Sequence, residues 1–124
     1  MQFKGELDSA RVITVLDDYA GYETSFLAQH GIAILLEASS GEECKRVLLD
    51  AGQSALPILH NLELLGIDPC SIDAVVISHC HYDHTEGLVD VLKAIGRENV
   101  PVVAHTTMFR PNYIFDAFIR NIGV

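Results

Sequence analysis

The 124-residue sequence has no tryptophan, only three cysteines, and 8 lysines and arginines against 17 aspartates and glutamates. Each shortage closes off a class of protein. At a formal charge of −9 the chain carries no basic surface to neutralise phosphates, so no nucleic-acid partner is expected and a nuclease role is disfavoured. Anionic membrane surfaces are disfavoured for the same reason. Cys44, Cys70 and Cys80 form no CxxC pair and cannot all pair internally, which fits reduced thiols rather than a disulfide framework. No apolar run approaches the roughly 18 residues of a membrane span. The opening Met1-Gln2-Phe3-Lys4-Gly5-Glu6 lacks the apolar core of a signal peptide. A cytoplasmic protein acting on a small molecule, away from membranes, is the expectation.

What is present is globular: 49% hydrophobic and 20% charged residues, in a length that suits one domain, residues 1–124, with a real core. Arg11 to Asp17 is a β-branched and aliphatic run that predicts a strand covered on both faces. Thr24 to His30 predicts a short helix closed by Gly31, with His30 as a capping or surface residue. Ile32 to Glu37 and Lys45 to Leu49, joined by Ser39-Ser40-Gly41-Glu42, predict a hairpin. Asp50 follows at the strand end, where its own pattern favours turn formation. Ser54 caps the next helix, which has Pro57 in its first turn, an apolar side of Leu56, Leu59, Leu62, Leu64 and Leu65, and a stop at Gly66; His60 on it is exposed or structural. Ala74 to Ser78 predicts a buried strand, Leu88 to Ile95 a helix ended by Gly96, and Val100 to Ala104 a last strand. The expected class is α/β, the pattern in which sites gather at strand carboxyl ends. His105 sits at such an end, open between a site role and a structural one. Residues 106–124 are apolar enough to pack but show no clear element.

The densest chemistry lies in Ser78-His79-Cys80-His81-Tyr82-Asp83-His84-Thr85-Glu86-Gly87. Imidazole and carboxylate suit zinc, and also manganese or iron. In extended chain, positions i and i+2 share a face, so His79 and His81 converge on one ion while Cys80 turns away. Asp83 and His84 lie beyond, where a turn aims them at a second ion.

This run resembles the HxHxDH signature of the metallo-β-lactamase superfamily, and Leu49-Asp50-Ala51-Gly52 resembles its earlier acidic motif. Ile13 to Asp17, Gln29-His30-Gly31, Leu49 to Ser54, Leu65-Gly66-Ile67 and His79 to His84 are most similar to the branch of dihydropterin ribofuranosylaminobenzene 5′-phosphate synthase-like proteins. The resemblance spans roughly residues 10–110. It implies half of an αββα sandwich, a mixed sheet with flanking helices, in a single truncated domain. It implies one or two zinc ions, with His79 and His81 in the first site, Asp83 and His84 in the second, and Asp83 also steering the nucleophile or a proton. The acidic match turns Asp50 from a turn former into an organiser of the metal loop. The chemistry implied is hydroxide attack on an ester or phosphoester-type substrate, driven by lowered water pKa and paired charge.

Two departures from the family pattern shape the remaining expectations. Glu86 stands where the family often has glycine, which would strain the loop if φ there were positive. After His84 the sole histidine is His105, whereas family members add further ligands from a second half. A catalytic zinc needs three protein ligands, so two routes are open. His105 and Asp116 can substitute, or a homodimer partner or separate second-half chain can donate ligands and cover the exposed sheet. The alternative function is a non-catalytic metal-binding or interaction module. An iron-based redox role is a weaker third.

Overall fold

The computed structural model describes residues 5–124. The reading of the opening segment as leaderless falls largely on residues 1–4, outside the described residues. Five strands form one mixed sheet in the order β1 (Ser9–Leu16), β2 (Ala33–Ser40), β3 (Glu43–Leu49), β4 (Ala74–Ile77) and β5 (Val102–Ala104). The first three are antiparallel, and β3, β4 and β5 run parallel. Helix α1 (Ala55–Leu64) carries the chain from β3 to β4. A one-turn α2 (Tyr82–Thr85) and α3 (Leu88–Ile95) carry it from β4 to β5. Leu16, Leu35, Leu48 and Val75 from the sheet pack with Ile58 and Leu62 of α1 and Val91 and Ile95 of α3.

The hairpin at 32–49 and the helix at 88–95 form as their patterns predict, and Gly96 closes α3 with a left-handed φ of 66°. Other expectations fail for identifiable reasons. Residues 24–30 form no helix, and two of their backbone donors are taken from outside. Leu27 N donates to the Asn61 side chain at 2.9 Å and Gln29 N to the Asp17 carbonyl at 3.2 Å. The β1 strand is not covered on both faces: Val12 is 69% exposed, and only Val15 and Leu16 at its end are buried. Ser54 stands at the α1 N-cap without a side-chain cap bond, since its N–H and hydroxyl engage Gln29 instead. The buried face of α1 is Ala55, Ile58, Asn61 and Leu62, at helical spacing, while Leu56 is 68% exposed. Residues 106–124, unplaced by pattern, hold a small hairpin of β6 (Tyr113–Phe115) and β7 (Ile119–Asn121).

The three antiparallel strands present two unlike faces. On one face Glu37 is buried between Arg11 and Arg46 from the neighbouring strands. On the other, Val12, Leu36 and Val47 lie in register across three strands, with Val12 and Leu36 open to solvent.

Candidate metal centre

Parallel pairing builds the site. Because β3 and β4 run side by side with Leu49 opposite Val76, their carboxyl ends deliver Asp50 and Ser78 to the same place. Asp50 N continues the ladder to Val76 O at 2.8 Å, and the residue then turns with φ 62°. A left-handed aspartate is uncommon and persists only where its surroundings hold it. Here they do. Asp50 is 2% exposed; its Oδ1 accepts Ser78 N at 2.7 Å, and its Oδ2 accepts Ser78 Oγ at 2.6 Å and faces His84 Nδ1 at 2.8 Å. The turn after it is stitched to the far side of the metal loop, with Ala51 N donating to His84 O at 2.9 Å and Gly87 N to Gly52 O at 3.2 Å. A Cβ at Gly87 would collide with the Ala51 carbonyl oxygen, so this approach requires glycine.

The ligand-type atoms then fall into two pairs. His79 Nε2 lies 3.1 Å from His81 Nδ1, and His84 Nε2 lies 3.2 Å from Asp83 Oδ2. Two ligands bound at about 2.0 Å to one tetrahedral ion stand about 3.3 Å apart, so each pair has the spacing of a shared ion. Between the pairs, the His79 and His84 rings are 4.0 Å apart centre to centre. Asp50, His79 and His84 also bring one ligand atom each within 4.8 Å of one another. Asp50 is the poorer donor of that group, since Ser78 and His84 already engage both its oxygens. Its position is that of the carboxylate behind a metal-binding histidine, which fixes ring and tautomer. Burial lowers the His79 pKa and the neighbouring His84 and His81 lower it further, against the opposite pull of Asp50 and Asp83. The balance favours the neutral, lone-pair-bearing form that a metal needs.

The remaining predicted residues divide. Cys80 packs half-buried against the core and accepts from Asn112 Nδ2 at 3.6 Å, away from the ligand pairs. Glu86 has φ −63°, so its presence in place of glycine costs no backbone strain. His105 ends β5 and is occupied by Thr107, whose N–H donates to Nδ1 at 3.2 Å. It lines a cavity of about 230 Å³ with Ser78 and His79 but makes no bond to the ligand pairs. Asp116 accepts the Ala117 N–H at 2.6 Å and pairs with Arg120, so it is spent in its own hairpin.

The expectation that His30 caps a helix fails, while the expectation that it lies at the surface holds, its side chain being 60% exposed. Its Nε2 lies 3.5 Å from Asp83 Oδ2 and its Nδ1 3.4 Å from Asp18 Oδ1, which places it at the rim of the site and not at a helix end. The local signal was the matched stretch Gln29-His30-Gly31, in which Gly31 proves to be a contact glycine rather than a helix stop.

Comparison with known proteins gives consistent results. The family model described as "Beta-lactamase superfamily domain" matches residues 45–111, the span from β3 through the metal loop and β5. The chain is 42% identical over 109 residues to a 7,8-dihydropterin-6-methyl-4-(beta-D-ribofuranosyl)-aminobenzene-5′-phosphate synthase of Methanocaldococcus jannaschii, covering 88% of this chain and 37% of that protein. It is 36% identical over 108 residues to an uncharacterised protein of the same organism, covering 87% and 40%. Among solved structures, a metallo-β-lactamase of Cronobacter sakazakii with an HARLDQ motif superposes with a TM-score of 0.52 at 25% identity, over 69% of this chain and 33% of that one. The chain thus spans well under half the length of these relatives.

Proposed function

This chain belongs to the metallo-β-lactamase superfamily, and from that premise we propose that it is the metal-binding part of a zinc-dependent hydrolase acting on an ester or phosphoester-type small molecule. The observation that carries the reading is the pairing of ligand atoms at 3.1 and 3.2 Å in front of one buried carboxylate. His79 and His81 would hold one ion, Asp83 and His84 the other. Bound zinc would supply charge stabilisation at the substrate oxygen and a lowered water pKa. The protein's own share is to keep the imidazoles neutral and aimed, and to supply in the Asp83 carboxylate a second oxygen that can accept a proton from an attacking water. Iron or manganese would fit the same donors less selectively.

Two observations shape the proposal further. Each ligand pair supplies two atoms where a catalytic zinc has three protein ligands, and the row Val12, Leu36 and Val47 and the edge strand β5 leave apolar surface open. Both support completion by a covering partner, either a second copy of the chain or a separate chain carrying the remaining ligands. The second reading, a metal-binding module without turnover, is favoured by the same two-atom pairs taken alone. Protein purified without added metal is analysed for metal per chain and oligomeric state, then assayed with zinc against carboxylic ester, phosphodiester, thioester and lactam substrates. Zinc-dependent turnover abolished in His79→Ala supports the hydrolase. Stoichiometric zinc with no turnover supports the module, and absence of any metal binding removes both.

A further inference from the structure

The hydroxyl of Ser78 stands between the Asp50 carboxylate and the His79 ring, with Oγ 2.6 Å from Asp50 Oδ2 and 2.8 Å from His79 Nδ1. A serine hydroxyl has one proton to give, and a carboxylate has only lone pairs to receive it. The Ser78 proton therefore goes to Asp50. Towards His79 the hydroxyl can then only accept, so the His79 hydrogen must sit on Nδ1. That leaves the Nε2 lone pair facing His81 Nδ1 at 3.1 Å. The same Asp50 oxygen faces His84 Nδ1 at 2.8 Å, nearer than Asp83 Oδ2 is to Nε2 at 3.2 Å, which favours the His84 hydrogen on Nδ1. One buried carboxylate thus addresses both ligand pairs, His84 directly and His79 at one remove.

We propose that Ser78 is a positioning residue that transmits Asp50's orienting effect to His79, fixing its tautomer and ring so that Nε2 is presented to the first ion. The inference rests on the metal-binding reading for its consequence but not for its geometry. The backbone half of the clamp, Ser78 N to Asp50 Oδ1 at 2.7 Å, does not depend on the side chain, so removing the hydroxyl isolates the relay. Ser78 is itself exposed, which leaves room for the extra methyl of threonine.

The test uses the full chain, wild type, Ser78→Ala and Ser78→Thr. Long-range proton–nitrogen NMR of the metal-free protein, above the pH where imidazoles are charged, reports which ring nitrogen carries hydrogen. Wild type and Ser78→Thr are expected to show His79 as the Nδ1–H tautomer, and Ser78→Ala a mixture shifted toward Nε2–H, while His84 stays Nδ1–H in all three. Zinc affinity by chelator competition is expected to fall about 10- to 100-fold in Ser78→Ala and to recover in Ser78→Thr, the usual size for a group that orients a ligand. Unchanged His79 tautomer in Ser78→Ala, or loss of it in Ser78→Thr, overturns the relay. If wild type binds no zinc, the metal reading falls, and the tautomer measurement still decides the relay.

Discussion

Gly31 packs against the backbone of Asp83 so closely that a Cβ there would overlap the Asp83 carbonyl oxygen, and its φ of 112° is one that L side chains rarely adopt. Gly31→Ala is therefore expected to cost about 2–4 kcal/mol, from strain and a backbone clash together, and to displace Asp83. Gly66 is the control. It also has positive φ, but nothing lies within 4 Å of a Cβ there, so Gly66→Ala should cost only about 1 kcal/mol. Urea unfolding of both variants measures the contrast; equal losses would show that the approach to Asp83 carries no energetic weight.

Asn61 holds the loop before that glycine. It is buried, its Nδ2 donates to Val15 O and Leu27 O at 2.8 Å each, and its Oδ1 accepts Leu27 N at 2.9 Å. Truncation leaves these backbone groups without partners at about 1–3 kcal/mol for a buried one. Asn61→Ala should lose about 3 kcal/mol in total, and the Leu27 amide should lose its protection from hydrogen exchange. Retained protection at Leu27 would mean the loop is held by something else.

Glu37 makes stability depend on pH. Burial alone would raise its pKa, but hydrogen bonds and charge from Arg46 and Arg11 overcome that and hold it below 4.5. A carboxyl depressed in the folded state contributes stability that is fully present above the unfolded value and is lost as pH falls through the folded one. The stability gap between wild type and Glu37→Gln should thus be constant, at about 1–3 kcal/mol, near neutrality. It should close as pH falls below about 4.5. A gap that widens in acid would reverse the assignment.

Much of the site was legible because its information is local. Four ligand-type residues crowd into six positions, strand spacing alone turns His79 and His81 to one side, and the Asp50 turn is a short motif at a strand end. What pattern could not give depends on pairs far apart in sequence. The Leu27 and Gln29 backbone donors go to Asn61 and Asp17, and a stretch with helical composition stays a loop. His30 meets Asp83 only because Gly31 lets two loops touch. The burial of β1 depends on what lies over each face of the sheet, which a hydrophobic run does not encode.

The ligand pairs also predict a linkage between metal and stability. Metal that binds the folded chain and not the unfolded one stabilises by RT ln(1 + [L]/Kd), about 2.7 kcal/mol at 100 times Kd. His79 Nε2 and His81 Nδ1, and separately His84 Nε2 and Asp83 Oδ2, are held at ligand spacing in the fold. Zinc should therefore raise the thermal midpoint in a concentration-dependent way, and a chelator should reverse the rise. His81→Ala should abolish the contribution of one pair and leave a smaller shift from the other. His81→Ala combined with His84→Ala should leave none, because each pair then has a single ligand. A midpoint that ignores zinc in the wild-type chain would show that these atoms, though spaced for an ion, do not hold one.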